Sequence, residues 1–290
     1  MFQRRYKSAG RAAAALLLGC GSLAAQSQAQ WRFDAAAGLG YDSNPANAEA
    51  GSTLPATGYA SSAVSASLTL RPSPRCALLL RGAFDGQQYF DYVGLSNARE
   101  SGLVRMFLRP VDGFHAPTLA AWGQLAAQQF GSRMRGGTEY RGGLWLSEQL
   151  NTAFRLRAGG YAGERDSSSP VFDGRQQAAT LDLDWLIGSA ATAYAGYEFR
   201  YGDFAESSPT DPAAAAFARA MAADDSLFSG GMPEVAYRLR GHLQAGTLGL
   251  NVPLNGWLAL DAQGRQFHAR AVSGDHYNRW LAEFNLLARF

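Results

Sequence analysis

The chain has 290 residues, 47% of them hydrophobic and 17% charged, with 26 Lys and Arg against 24 Asp and Glu. That balance excludes the strongly basic surface of a nucleic-acid binder. Two cysteines and four histidines, none at metal-ligand spacing, exclude a disulfide scaffold and supply no metal site or cofactor motif.

Arg4, Arg5, Lys7 and Arg11 precede an apolar run from Ala12 to Ala25, shorter than the roughly 20 residues that span a bilayer. Ser27-Gln28-Ala29 fits the small-x-small cleavage rule, so residues 1–29 read as a signal peptide and 30–290 as the mature chain. A second reading takes Leu17-Leu18-Gly19-Cys20 as a lipoprotein box that leaves a lipidated Cys20. Cleavage after Ala29 removes four bases and no acid, turning 26 bases against 24 acids into 22 against 24. Cys76 then stands alone in the mature chain.

Period-two alternation begins at Trp31, the mark of a strand with one apolar face. In 31–41, Trp31, Phe33, Ala35, Ala37, Leu39 and Tyr41 oppose Arg32, Asp34, Gly38 and Gly40, and the chain breaks at Asp42-Ser43-Asn44-Pro45. Strand two (60–71) sets Val64, Ala66, Leu68 and Leu70 against Ser65, Ser67, Thr69 and Arg71, and Pro72 and Pro74 end it. Strand three (76–90) sets Leu78, Leu80 and Phe84 against Arg81 and Asp85, and strand four (97–109) stops at Pro110. In strand five (119–129), Leu119, Ala121, Gly123, Leu125 and Ala127 point outward, which turns Trp122 inward. Strand six (138–148) opposes Tyr140, Leu144 and Leu146 to Glu139 and Arg141; strand seven (152–165) opposes Phe154, Leu156 and Ala158 to Arg155, Arg157 and Tyr161. Strand eight (175–187) turns Leu181, Leu183 and Trp185 out and Asp182 and Asp184 in; strand nine (192–204) turns Tyr197, Phe199 and Tyr201 out and Glu198 and Arg200 in. Strands ten (235–252) and eleven (257–270) lead to the last, 280–290, which reads WLAEFNLLARF.

The last segment has apolar residues at every even position and stops at Phe290. It resembles the closing strand of Gram-negative outer-membrane β-barrels, which implies an outer-membrane location and recognition of Phe290 by the barrel-assembly machinery. The connections after even-numbered strands are short, and the long ones, 43–58 and 205–234, fall on the other end, the asymmetry of periplasmic turns and outer loops. Aromatic residues gather near both sets of strand ends, as the two interfaces of a bilayer select. The fold expected is all-β: a transmembrane antiparallel up-and-down barrel of about twelve strands, its outside against outer-membrane lipids. A soluble β-sandwich also alternates, and leaves the girdles and terminal Phe unexplained.

A barrel of this size is roughly 24 Å across at the backbone, so its filling decides its use. The inward set holds Arg81, Arg105, Arg141, Arg155, Arg157, Arg200, Arg265, Arg279 and Arg289 against Asp85, Glu139, Asp182, Asp184, Glu198, Asp261 and Glu283. Arg155, Arg157, Asp182, Asp184, Glu198 and Arg200 form the candidate charge cluster, because charges in a confined wall pair. In the long loop, Asp211-Pro212 followed by AAAAFARAMAA predicts a helix, with Phe217 and Met221 on one face as a possible constriction. The four histidines sit in no hydrolase-like pattern, so a surface hydrolase is the weakest reading. Gly40-Tyr41-Asp42-Ser43-Asn44 leaving a first strand resembles the barrel start of surface-lipoprotein assembly modifiers, and implies a surface lipoprotein or polysaccharide partner. The residues themselves ask only for a sharp turn. The first expectation is therefore a narrow channel for small polar solutes, and the alternative a non-conducting interaction or export barrel.

Overall fold

The computed structural model describes residues 28–48, 56–188, 191–209, 222–224 and 234–290. Nearly all of the expected signal segment, with Cys20, lies outside the described residues, as do Phe217 and Met221. Among the described residues twelve antiparallel strands close a barrel: β1 (Gln28–Asp42), β2 (Thr57–Ser73), β3 (Cys76–Tyr89), β4 (Asn97–Leu108), β5 (Thr118–Phe130), β6 (Gly137–Gln149), β7 (Phe154–Ser167), β8 (Gly174–Ile187), β9 (Ala191–Pro209), β10 (Glu234–Pro253), β11 (Leu258–Ala271) and β12 (His276–Arg289). Each pairs with its neighbour in the chain, and β1 pairs with β12 to shut the seam. Phe290 takes part directly: its N–H donates to the Phe33 carbonyl at 2.9 Å, and the Phe33 N–H donates back at 3.0 Å.

β9 continues to Pro209 instead of stopping near 204, because β10 offers it backbone partners as far as Glu234. The expected loop helix fails at its described end. Ala222–Asp224 is a short strand on the other side of β10, opposite Val235 to Tyr237. The free edge of β10 beyond the end of β11 supplies ladder hydrogen bonds there, and these outweigh the helix preference of alanine.

The outward face of the barrel is apolar: Leu39, Val64, Leu125, Leu144, Leu181, Leu248 and Phe284 are all exposed. A closed ladder satisfies the backbone without water, and an exterior this greasy is stable only against lipid. The protein is thus an outer-membrane barrel. Trp31, Trp185, Trp257 and Phe290 ring the end that carries the short turns, while Tyr41, Tyr140, Tyr201 and Trp280 ring the loop end. At the turn end Arg75 donates to Asp112 at 2.7 Å, and this hydrogen bond holds the Asp112 carboxyl below the usual carboxylate range.

On one wall the alternation reverses toward the loop end. In β10, Leu248 and Leu250 face out, but further up Arg238 and Arg240 do, with Tyr237, Leu239 and Leu243 buried inside. β11 does the same, with Gln266, His268 and Arg270 outward and Phe267, Ala269 and Ala271 buried. Leu243, Ala245, Phe267, Ala269 and Tyr277 form one buried cluster, joined by Phe204 and Leu281. This part of the wall stands clear of the hydrocarbon layer, so water takes its polar outer face and the apolar face closes on the barrel axis. The outer half of the lumen is accordingly packed, where a polar lining was expected.

The rim at the same end is a ring of hydrogen-bonded loops. Short 3-10 turns at Val93–Leu95, Arg133–Arg135 and Pro170–Phe172 are bonded in succession, Ser132 N–H to Gly94 O at 2.9 Å and Ser169 N–H to Met134 O at 3.2 Å. Arg238 Nη1 completes the run by donating to Pro170 O at 3.1 Å.

Candidate functional site

The inner wall is organised by tyrosines that reach over a small residue to a carboxylate two strands away. Tyr59 on β2 lies across Gly40 of β1 and donates to Glu283 on β12. A Cβ at Gly40 would overlap the Tyr59 ring, so glycine is required at that crossing. Tyr194 on β9 crosses Gly249 of β10 to reach Asp261 on β11 at 3.0 Å. Tyr161 on β7 crosses Ala178 of β8 to reach Glu198 on β9 at 2.9 Å. Trp122 points inward, and its ring meets that of Tyr161 across Gly143 with centroids 6.0 Å apart. Period-two patterning shows these residues face inward; it does not show that a ring spans the next strand.

The charges divide unevenly. Glu198 takes Arg200 from its own strand and Arg265 from β11 at 3.1 Å, and Glu139 takes Arg141 and, at 3.2 Å, Arg99. Of the candidate cluster on β7 and β8, Arg157 approaches both Asp182 at 3.7 Å and Asp184 at 3.5 Å. Arg155 lies opposite Asp184 in register but turns toward the rim, where its Nε donates to Gln149 at 3.2 Å. Arg289 is also at the rim, 3.4 Å from Asp34. Among the described residues Asp261 and Glu283 have no Arg partner within salt-bridge distance; besides the tyrosines, Asn251 and Gln263 donate to them. Among the described residues Arg81 and Asp85 on β3 and Arg105 on β4 likewise make no salt bridge.

Toward the loop end the residues after β1 close over the mouth. Asp42 is fully buried, 2.5 Å from Arg279 Nη2, and accepts from Tyr89 at 3.2 Å and from the Asn44 N–H at 3.1 Å. The Asn44 side chain binds Ala48 through both its amide groups and also donates to Asn278 O at 3.1 Å. Beyond this anchor, Ala46 O accepts from Ser207 N–H of β9 at 3.1 Å, while Ala46 and Ala48 pack on Tyr59, Tyr89 and Leu95. The segment 43–48 thus runs from the β12 side to the β9 side across the opening. Asp42, Ser43 and Asn44 do more than turn the chain: they fix a lid, and the pairing of Asp42 with Arg279 has no local sequence signal.

Below the packed half the inner wall leaves two cavities. A cavity of about 240 Å³ is lined by Arg157, Asp182, Asp184, Tyr194, Glu198 and Arg265. A wider one of about 700 Å³ opens at the turn end, lined by Arg71, Phe107, Arg109 and Thr118. Such a wall offers charged and hydrogen-bonding groups to a small polar molecule. Among the described residues no group of three His, Cys, Asp or Glu side chains is placed to hold a metal ion.

No protein-family model and no curated relative matches this chain. Its fold is similar to that of an outer membrane channel from Pseudomonas putida F1, with a TM-score of 0.59 at 10% identity over 93% of this chain and 98% of that one. Looser likenesses are a mutant of the TodX monoaromatic hydrocarbon channel (TM-score 0.46, 7% identity, 91% of this chain and 90% of that one) and the KdgM porin in complex with disordered oligogalacturonate (0.44, 7%, 88% and 99%). The fold is that of outer-membrane β-barrels.

Proposed function

We propose that this barrel is a narrow channel for small polar solutes, gated where the 43–48 lid and the cluster around Tyr277 fill its outer half. The observation that carries this reading is the inner wall of the turn-end half: Arg157, Asp182 and Asp184 are only partly buried beside open cavities. Side chains that serve only to fill a lumen pair closely and exclude water. Arg157 approaches its acids loosely, and Arg81 is exposed to the lumen. The Pseudomonas barrel of the same fold is a channel; the case here stands on the wall chemistry.

Single-channel recording of the folded protein in a planar bilayer tests it. Discrete conductance steps are expected, rare in the resting protein because the lid is anchored. A protein that is folded by circular dichroism and gives no steps at any voltage removes the channel reading. That outcome would leave a non-conducting barrel that binds a surface lipoprotein or polysaccharide, a second reading favoured by the close packing of the outer half.

A further inference from the structure

Arg81 on β3, Arg105 on β4 and Arg157 on β7 all project into the turn-end half of the lumen. Arg81 and Arg105 are diagonal neighbours, opposite Leu103 and Leu79 respectively. Trp145 of β6 lies between the other two guanidinium groups, with Arg105 Cζ 5.9 Å and Arg157 Cζ 5.5 Å from its ring centroid. Phe107 meets Trp145 edge to face at 5.8 Å and stands 5.9 Å from Arg105 Cζ.

Among the described residues neither Arg81 nor Arg105 has a carboxylate partner, and Arg105 Nε is buried without any hydrogen-bond acceptor. Arg157 is 3.5 and 3.7 Å from its two aspartates, longer than a charge-assisted hydrogen bond, so it too keeps donors to offer. The cluster also touches both cavities, Phe107 lining the wider and Arg157 the narrower.

Arg81 and Arg105, two like charges without an acid, are stabilised by an anion, and guanidinium groups bind a carboxylate through paired N–H donors. A bare inorganic ion would leave the rings unused. Trp145 and Phe107 add flat apolar faces at the depth of the donors, which suit a flat apolar body. We propose that Arg81, Arg105, Arg157, Trp145 and Phe107 form a binding site for a small organic anion with a carboxylate on a flat apolar body, an aromatic carboxylate being the simplest case. This names the solute class of the proposed channel and rests on that reading for its purpose.

The test is isothermal titration calorimetry of the folded full-length barrel in detergent with sodium benzoate, sodium acetate and benzamide. Saturable benzoate binding is expected, with acetate and the neutral benzamide each about tenfold weaker or worse. Arg105→Gln should weaken benzoate binding by about tenfold, and Trp145→Leu should reduce benzoate to the level of acetate. Arg270→Gln, on the outward face at the loop end of β11, should leave it unchanged. Arg81→Gln, at an exposed position, gives the same reading should Arg105→Gln fail to fold. Absence of saturable benzoate binding by the wild type, or wild-type affinity in both folded Arg81→Gln and Arg105→Gln, overturns the proposal. Conductance without benzoate binding would sink the site and keep the channel; benzoate binding without conductance would do the reverse.

Discussion

Replacing Asp42 by Asn removes the charge opposite the largely buried Arg279 and leaves that cation with only neutral amide acceptors, Asn47 among them. Breaking one side of a buried pair costs about 3 kcal/mol or more, since the remaining charge keeps its desolvation penalty without its partner. The variant should therefore melt at lower temperature by circular dichroism. It should also open more often in a planar bilayer, because Asp42 ties down Asn44 at the start of the lid and positions Arg279, which bonds Asn47 within it. Melting that coincides with the wild type would mean that Arg279 is satisfied without Asp42. Gly40 and Tyr59 belong to the same neighbourhood, so the glycines of the first strand serve side chains that arrive from β2 and β12.

Among the elements, β12 closes the barrel against β1, and Phe290, the residue that follows it, is bonded through the backbone to Phe33 on both its N–H and its C=O. The Phe290 ring is exposed on the outside, stacked on Trp257 at 6.1 Å. Deleting Phe290 removes both seam hydrogen bonds as well as that ring contact. The amount of folded protein in the outer membrane, measured by quantitative immunoblot of membrane fractions, should fall several-fold. A single exposed apolar side chain lost from a finished barrel would be worth far less, because it buries little. Wild-type levels of the deletion variant would show that the terminal residue has no special part in assembly. β10 and β11 teach a different lesson, since one strand can change which face is apolar when its upper part leaves the hydrocarbon layer.

For the whole molecule, the placement of charge among the described residues is uneven, with the unpaired Arg81 and Arg105 on β3 and β4 and the unpaired Asp261 and Glu283 on β11 and β12. Asp182 and Asp184 moderate the charge of Arg157. Asp182→Asn combined with Asp184→Asn should shift ion preference toward anions, read as a change in reversal potential across a salt gradient. The shift should shrink at high salt as the remaining charges are screened. These aspartates are about a third exposed and their contacts long, so the stability cost is only about 1 kcal/mol or less. An unchanged reversal potential in a conducting double variant would place the ion path away from this wall.

Period two in nine of the strands, proline and glycine at the turns, and the terminal aromatic were enough to give the barrel, its strand number and its lipid-facing side. These are local properties: a strand's two faces are written in its own sequence, and lipid on one side forces the pattern to be regular. The inward direction of Trp122 followed from the same rule. What lies inside was not legible, because inward side chains choose partners on strands distant in sequence. Arg155 and Asp184 face each other in register yet do not pair, while Tyr59 finds Glu283 over a glycine, and Asp42 finds Arg279 over 237 positions. The reversal in β10 also escaped, since alternation reads the same whichever face is apolar. Only the closed ring, which fixes how high each strand rises above the membrane, decides which face meets water and which closes the mouth.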